Sequence, residues 1–274
     1  MSAAEKSYMP DLASEYPLAE SLIESYGRDG HVLIRGLLSP AEVSVYRQAI
    51  LDAVAELSKD VRPLEERDTY GKAFLQIMNL WVQDENVRPF VLSKRIATVA
   101  AQLMGVVGAR LYHDQALFKE PGGGPTPWHQ DQHYWPLDTD NTVTMWMPLV
   151  MADTSMGTMR FASGSHEVGY LGDMPISDQS EAMFEQFVAE RGYRITESGA
   201  MAAGDATFHS GWTLHGAQGN GSSTMREVMT IIYYPDGTVV GPADNDNRKA
   251  DLAAWLPGLA PGQLAASELN PLVS

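Results

Sequence analysis

The segment Trp128-His129-Gln130-Asp131-Gln132-His133 holds the residue types best suited to metal chemistry. In an extended strand alternate side chains share a face, so an imidazole at 129 and a carboxylate at 131 would point the same way. Together they offer two ligands to a divalent metal. A third must come from elsewhere in the chain. His215, in Trp212-Thr213-Leu214-His215-Gly216, is the best candidate. Two histidines and one carboxylate on one face of a metal leave the opposite positions open, which is the facial triad of non-haem Fe(II) oxygenases. The same ligands would serve a Zn²⁺ hydrolase, or a metal-binding sensor module without turnover. A lone histidine in a strand is more often a surface or hydrogen-bonded core residue, and His31, His113, His133, His166 and His209 are read that way.

Arg226 follows eleven residues after His215, at the start of an apolar strand. Inside a barrel its charge needs an anion, because a buried unpaired charge costs about 3–5 kcal/mol. A guanidinium fork matches a carboxylate through two parallel bonds. A dicarboxylate chelating the metal at one end and gripped by Arg226 at the other would supply the partner. The plainer alternative is a surface arginine, or a salt bridge to a neighbour such as Glu227. A zinc hydrolase has no need of such a grip, so Arg226 separates the readings.

These residues need a frame. Ala109 to Lys119, Thr142 to Val150, Thr158 to Ala162, Ala206 to His209, Thr213 to Ala217 and Glu227 to Tyr234 are short and bounded by Gly, Pro, Asn or Asp. That is an all-β pattern with turns between strands. Upstream, a short helix is expected from Pro17 to Tyr26 and a strand from His31 to Leu38. Ser39 and Pro40 open a helix to Leu57 that carries Val43, Tyr46, Ile50 and Val54 on one face. Asp60 to Lys72 reads as a loop, Phe74 to Trp81 as strand or helix, and Ser93 to Met104 as a helix stopped by Gly105. Ser177 to Arg191 is a lid-like helix, and the stretch from Asp236 onward is a surface-packed tail around a short helix at Ala250 to Leu256. The expected fold is mainly β with flanking helices, a double-sheet jelly roll. It forms one domain over 1–274, with a helical part at 1–108, a β core at about 109–234 and an irregular tail at 235–274.

Composition narrows the function further. The 274 residues are 44% hydrophobic and 20% charged, as in soluble globular proteins. The absence of cysteine removes thiol nucleophiles, disulfides, thiolate zinc sites and cysteine-held iron–sulfur clusters. A net charge of −16 repels phosphate backbones, so no nucleic-acid partner is expected, and a coenzyme A thioester is disfavoured. The N-terminus lacks a signal-peptide pattern, and the longest apolar stretch, Ile96 to Ala109, is too short to span a membrane. A cytoplasmic monomer or homodimer acting on a small molecule is expected. Met145, Met147, Met151, Met156 and Met159 read as core. Trp128, Tyr134, Trp135 and Trp212 could wall a substrate pocket or fill a core, with Glu66 to Lys72 and Gly169 to Ser180 as covers.

Several motifs then act together: Lys119-Glu120-Pro121-Gly122-Gly123-Gly124, Trp128 to Pro136 (WHQDQHYWP), Trp146-Met147-Pro148-Leu149, Gly157 to His166 (GTMRFASGSH), Gly204-Asp205 and Leu214-His215-Gly216. Over roughly His31 to Tyr234 the chain resembles the phytanoyl-CoA dioxygenase family, whose broad group includes ectoine hydroxylase. The resemblance implies a cupin-like double-stranded β-helix that uses Fe(II), 2-oxoglutarate and O₂. It implies iron ligation by His129, Asp131 and His215, and a grip by Arg226 on the distal carboxylate of 2-oxoglutarate. Trp146 and Gln115 match co-substrate positions, and Gln76 matches a polar contact upstream. The implied reaction oxidises a C–H bond while 2-oxoglutarate decarboxylates to succinate and CO₂. Hydroxylation is one outcome; epimerisation, desaturation and ring closure are others on the same scaffold. A natural-product tailoring step, as in antibiotic biosynthesis, is the favoured setting. The sequence departs from the family at Ala217, where a serine often contacts the co-substrate carboxylate. Asp131 argues against halogenation, because halogenating relatives carry a small residue there.

Overall fold

Helices predominate up to residue 104 and strands after it in the computed structural model, which describes residues 9–59, 61–67 and 69–274. The helices are α1 (Glu20–Asp29), α2 (Pro40–Leu57), α3 (Thr69–Ala73), α4 (Leu80–Gln83), α5 (Arg88–Val91), α6 (Lys94–Met104), α7 (Asp178–Arg191) and α8 (Asp246–Trp255). The strands are β1 (His31–Ile34), β2 (Leu75–Met78), β3 (Ala109–Phe118), β4 (Thr126–His129), β5 (Val143–Pro148), β6 (Met159–Ser163), β7 (Arg194–Glu197), β8 (Ala206–Ser210), β9 (His215–Ala217) and β10 (Val228–Pro235). They form a six-stranded sheet in the order β1-β8-β5-β10-β3-β2 and a four-stranded sheet in the order β4-β9-β6-β7. All the strand pairs are antiparallel, and the two sheets make the jelly roll.

Strand alternation decides what each face does. On β5 and β10, Met145, Met147, Met229 and Ile231 turn outward and pack under α2 and α6. Thr144, Trp146 and Thr230 turn inward and line a cavity between the sheets. The two covering helices are well specified locally. Ser39 and Glu42 form a reciprocal capping box at the start of α2, with Pro40 in its first turn. Ser93 caps α6, and Gly105 ends it in a left-handed conformation with φ 68°. A β-bulge interrupts the pairing of β3 with β10: Leu111 opposes Tyr233 while Asp114 opposes Ile231. The extra residue re-aims the strand, so that Tyr112 joins a second apolar cluster and His113 faces the cavity.

The structure corrects several expectations. The first strand stops at Ile34, because Arg35 and Gly36 turn to bond the Asp205 carboxylate at 2.7 and 2.8 Å. The helix expected from Pro17 starts at Glu20 and runs on to Asp29. Phe74 to Trp81 divides into β2 and α4, and the expected loop at 60–72 contains a 3₁₀ turn and α3, with Asp60 and Asp68 outside the described residues. Strand β7 was not anticipated, and β4 stops at His129, short of the extended run expected through Asp131. Both are sheet edges, where a proline such as Pro127 and a polar run such as Arg-Ile-Thr-Glu are tolerated. Met151 is 77% exposed and leaves the otherwise buried methionine set.

The C-terminal stretch is more than a surface tail. Leu256 and Ala265 are fully buried with Tyr112, Trp135, Ile232 and Tyr234. Buried Asn270 donates from its side chain to the carbonyls of Leu111 and Tyr112 at 3.3 and 3.1 Å. Residues of α8 line the cavity itself. Among the described residues, no helix is long and apolar enough to cross a membrane.

Candidate active site

The cavity between the sheets measures about 340 Å³. His129 ends β4 and His215 begins β9, and the two are register partners across that strand pair. Asp131 is not on the strand with His129 as the alternation argument required. It opens a 3₁₀ turn, Asp131–His133, and the turn rather than strand alternation brings its carboxylate inward. Ligand atoms of His129, Asp131 and His215 all lie within 4.8 Å of one another. Asp131 Oδ1 is 3.3 Å from His129 Nε2 and 3.5 Å from His215 Nε2.

Each of these groups is oriented from behind. His129 Nδ1 faces the Pro127 carbonyl at 2.8 Å, and His215 Nδ1 faces the Thr213 carbonyl at 2.9 Å. A carbonyl can only accept, so each Nδ1 carries the proton and each Nε2 keeps its lone pair for the centre. Asp131 Oδ2 accepts from the Thr144 hydroxyl at 2.8 Å and lies 3.2 Å from His209 Nε2. That leaves Oδ1 for a metal. Burial alone would raise the Asp131 pKa, but the surrounding imidazoles, with the His209 Nε2–H donating to Oδ2, keep the carboxylate well below its usual range. Burial, with His129 and His209 alongside, keeps His215 neutral far below the ordinary imidazole pKa. One anionic oxygen and neutral imidazole nitrogens suit a divalent first-row metal.

His209 was read as an ordinary strand histidine, yet it is 1% exposed and contacts the central carboxylate. Thr144 was not singled out at all. They are register partners on β5 and β8. Only the strand pairing reveals them, and no spacing in the sequence signals it.

Arg226 sits just before β10, where its backbone exchanges bonds of 2.9 Å with Lys119. It is 2% exposed and lines the cavity. One guanidinium nitrogen donates to the Gly157 carbonyl, the group lies 5.3 Å from the Trp146 ring centre, and Nε has no partner. Among the described residues no carboxylate pairs with it. Glu227, the neighbour that could have done so, binds Arg47 instead at 2.5 and 2.7 Å. Burial lowers the Arg226 pKa to about 9. Lys119 lies buried nearby, its Nζ donating to the carbonyls of Gly124 and Gln218 at 2.6 and 3.1 Å, so it fastens the glycine-rich turn.

Gln115 and Trp146 flank Thr230 in register on β3, β5 and β10, and all of them line the cavity. Gln76, on β2, donates to the Gln115 side chain. The Thr230 hydroxyl is buried without a protein partner. A carboxylate-bearing co-substrate fits this end of the cavity, where a guanidinium with an unpartnered Nε and a hydroxyl without a protein partner lie together.

The aromatic residues divide. Tyr134 and Trp135 line the cavity, and the Tyr134 hydroxyl accepts from Ile176 N at 2.8 Å. Trp128 does not line it, which corrects its reading as a substrate wall. Adjacent strand residues face opposite ways, so with His129 inward Trp128 turns outward. There it packs with Phe184, Val188 and Leu214 beneath the Arg160 guanidinium, 4.3 Å away. Trp212 also lies elsewhere and donates to Asp140 at 2.8 Å. His166 bonds the Gly27 carbonyl at 3.2 Å, and His133 lies 3.5 Å from Asp173. Of the two expected covers, the 169–180 segment contributes Ile176, and no described residue of 66–72 reaches the lining.

The profile of the phytanoyl-CoA dioxygenase (PhyH) family matches residues 26–228. A probable alpha-ketoglutarate-dependent hypophosphite dioxygenase of Stutzerimonas stutzeri is 25% identical, covering 66% of this chain and 70% of its own length. An ectoine dioxygenase of Bordetella parapertussis is 24% identical over 82% of this chain and 78% of its own. Among solved structures, the carbocyclase SnoK of nogalamycin biosynthesis superposes with TM-score 0.76 at 24% identity, over 94% of this chain and 97% of that one. The epimerase SnoN, in complex with Fe³⁺, alpha-ketoglutarate and nogalamycin RO, gives TM-score 0.76 at 26% identity, over 93% and 98%. With the triad and the unpaired arginine already gathered in one cavity, this match makes the chain a member of the phytanoyl-CoA dioxygenase family of iron- and 2-oxoglutarate-dependent oxygenases.

Proposed function

We propose that this chain oxidises a C–H bond of a small, largely apolar natural-product intermediate, in a tailoring step coupled to conversion of 2-oxoglutarate into succinate and CO₂. The observation that carries the oxygenase reading is the buried Arg226 guanidinium, without a protein carboxylate, in the cavity that holds His129, Asp131 and His215. A zinc hydrolase or a sensor module leaves that charge unexplained. His129, Asp131 and His215 would hold Fe(II). Arg226 would take the distal carboxylate of 2-oxoglutarate, with Gln115, Trp146 and Gln76 beside it. Thr230 offers that end of the cavity a hydroxyl that Ala217 cannot. Bound iron and 2-oxoglutarate supply the oxidising power when O₂ is present. The protein's own part is orientation and exclusion of water. Thr144 and His209 fix the carboxylate, the Pro127 and Thr213 carbonyls fix the imidazoles, and aromatic walls keep the reacting centre dry.

The substrate reading rests on the rest of the lining. Phe74, Met78, Trp135, Ile176 and Trp255 make it apolar, and Arg226 is the one Lys or Arg in it among the described residues. With that cation committed to the co-substrate, an anion such as hypophosphite or a phosphonate finds no partner. SnoN, 26% identical and solved with nogalamycin RO, supports an apolar or glycosylated natural-product substrate. The test is succinate release with Fe(II), 2-oxoglutarate and O₂ in the presence of glycosylated polyketides, ectoine or 2-aminoethylphosphonate. Stimulation by a polyketide and not by the other two is expected, and it should vanish in Asp131→Ala and His215→Ala with the fold intact by circular dichroism. Stimulation by the phosphonate alone would overturn the substrate reading. Undiminished succinate in either variant would remove that residue from the metal site.

A further inference from the structure

Asp251 occupies an unusual position. It lies on α8, half-buried, and lines the same cavity as the metal ligands. Its carboxylate accepts from the Tyr112 hydroxyl at 2.9 Å and from the Trp255 side chain. Two neutral donors thus aim at a carboxylate, yet among the described residues no lysine or arginine forms an ion pair with it. The basic residues of its own helix are engaged elsewhere: Arg248 bonds Asp244 at 3.1 Å and Lys249 bonds Asp246 at 2.9 Å. Burial pushes the Asp251 pKa up to about 7, with Tyr112 and Trp255 working against it. That is the behaviour of a carboxylate that lacks a cation.

A second group points to a ligand at the same wall. His113, 2% exposed, faces the cavity through the β3 bulge, and its Nδ1 has no partner. Its ring lies 5.3 Å from that of Trp255. Burial holds its pKa down to about 3, so it is a neutral donor or acceptor and not a rival cation. Tyr112, which holds Asp251, lies in the first half of β3, and Lys119, whose backbone bonds that of Arg226, lies just past the strand's end, about 20 Å of chain away. The cavity therefore carries an unpaired cation toward one end and an unpaired anion toward the other. The logic that gives Arg226 a carboxylate gives Asp251 an ammonium.

We propose that Asp251 is a specificity-determining residue that seats a protonated amine of an otherwise apolar substrate, with His113 as a neutral polar neighbour and α8 as the element that delivers both the charge and the wall. The inference rests on the reading of the cavity as an oxygenase substrate site. It goes beyond that reading by naming the substrate's charge and the residue that meets it.

The test compares 2-(2-naphthyl)ethylamine with the neutral 2-(2-naphthyl)ethanol by anaerobic titration calorimetry at about pH 8, where an alkyl amine is protonated and Asp251 is ionised. Titrations are run with and without Fe(II) and 2-oxoglutarate. The wild-type protein is expected to bind the amine at least about tenfold more tightly than the alcohol, the increment of one hydrogen bond to a charged group. Asp251→Asn keeps the shape and removes the charge, so it should erase the preference while leaving alcohol binding unchanged. Tyr112→Phe keeps the charge and should retain the preference, which separates recognition from a structural role of the Tyr112–Asp251 bond. Equal binding of the two probes by the wild type, no binding of either, or a preference that survives in Asp251→Asn each overturns the proposal. The visible band of the Fe(II)–2-oxoglutarate chelate is recorded in the same samples. A band without amine preference sinks the amine seat alone; preference without a band sinks the oxygenase reading and leaves the seat standing.

Discussion

Asp131 uses its two oxygens for different tasks. Oδ1 faces the imidazoles of His129 and His215, while Oδ2 is tied back by Thr144 and His209. Supporting bonds of this kind set ligand orientation, and their loss typically costs 10–100-fold in metal affinity or activity, an order-of-magnitude range. Thr144→Val should therefore weaken Fe(II) binding by roughly 10–100-fold, with an unchanged circular dichroism spectrum. Wild-type affinity in that variant would show that Thr144 does not orient the carboxylate. Arg226→Lys keeps a charge and loses the fork. It should raise the KM for 2-oxoglutarate by about tenfold, the equivalent of one charge-assisted bond, with kcat little changed. A fall in kcat at constant KM would place Arg226 in some other role. The sequence exposed His129, Asp131, His215 and Arg226 because their types are rare inside apolar β structure and carry their own chemical demand. Thr144 and His209 were hidden, because their importance is a fact of strand register and not of neighbouring residues.

At the scale of elements, local signals succeeded where the backbone's own needs are written in side chains. The capping box and proline at the start of α2, and the glycine after α6, fix those helices almost to the residue. They failed at an edge strand, β7, whose polar run carries no apolar alternation. They failed again at the turn that carries Asp131, which an alternation rule cannot foresee. One junction invites a test. Fully buried Asp114, just past the β3 bulge, accepts from the backbone N–H groups of Leu80 and Trp81 at 3.0 and 3.4 Å and so anchors the start of α4. Burial pushes its pKa up to about 7, against those hydrogen bonds. The folded state therefore holds a proton that the unfolded chain has released above the ordinary carboxylate range. The contribution to stability is full below about pH 4 and is lost as the pH rises to about 7. The wild-type melting temperature should fall more steeply between pH 5 and pH 8 than that of Asp114→Asn, which cannot ionise. Parallel falls in the two proteins would contradict the assignment.

For the molecule as a whole, the C-terminal stretch closes the account. Its residues are irregular enough to read as a tail, yet Leu256 is fully buried against the sheet and α8 forms one wall of the cavity. Sequence pattern could not disclose this, since a short helix with no fully buried residue carries little periodicity. Leu256→Ala should cost about 2–5 kcal/mol of stability and shift the emission of nearby Trp255 to longer wavelength as the wall loosens. An unchanged melting temperature would mean that the tail is not part of the folded unit. The central claim, that one cavity gathers a ferrous site and a seat for 2-oxoglutarate, has a direct test. Fe(II) and 2-oxoglutarate are added together to the metal-free protein without oxygen, and the visible spectrum is followed. The wild type should develop the charge-transfer band of the chelate with saturation in both components, and Asp131→Ala should not. No band from a wild-type protein that is folded by circular dichroism would contradict the account.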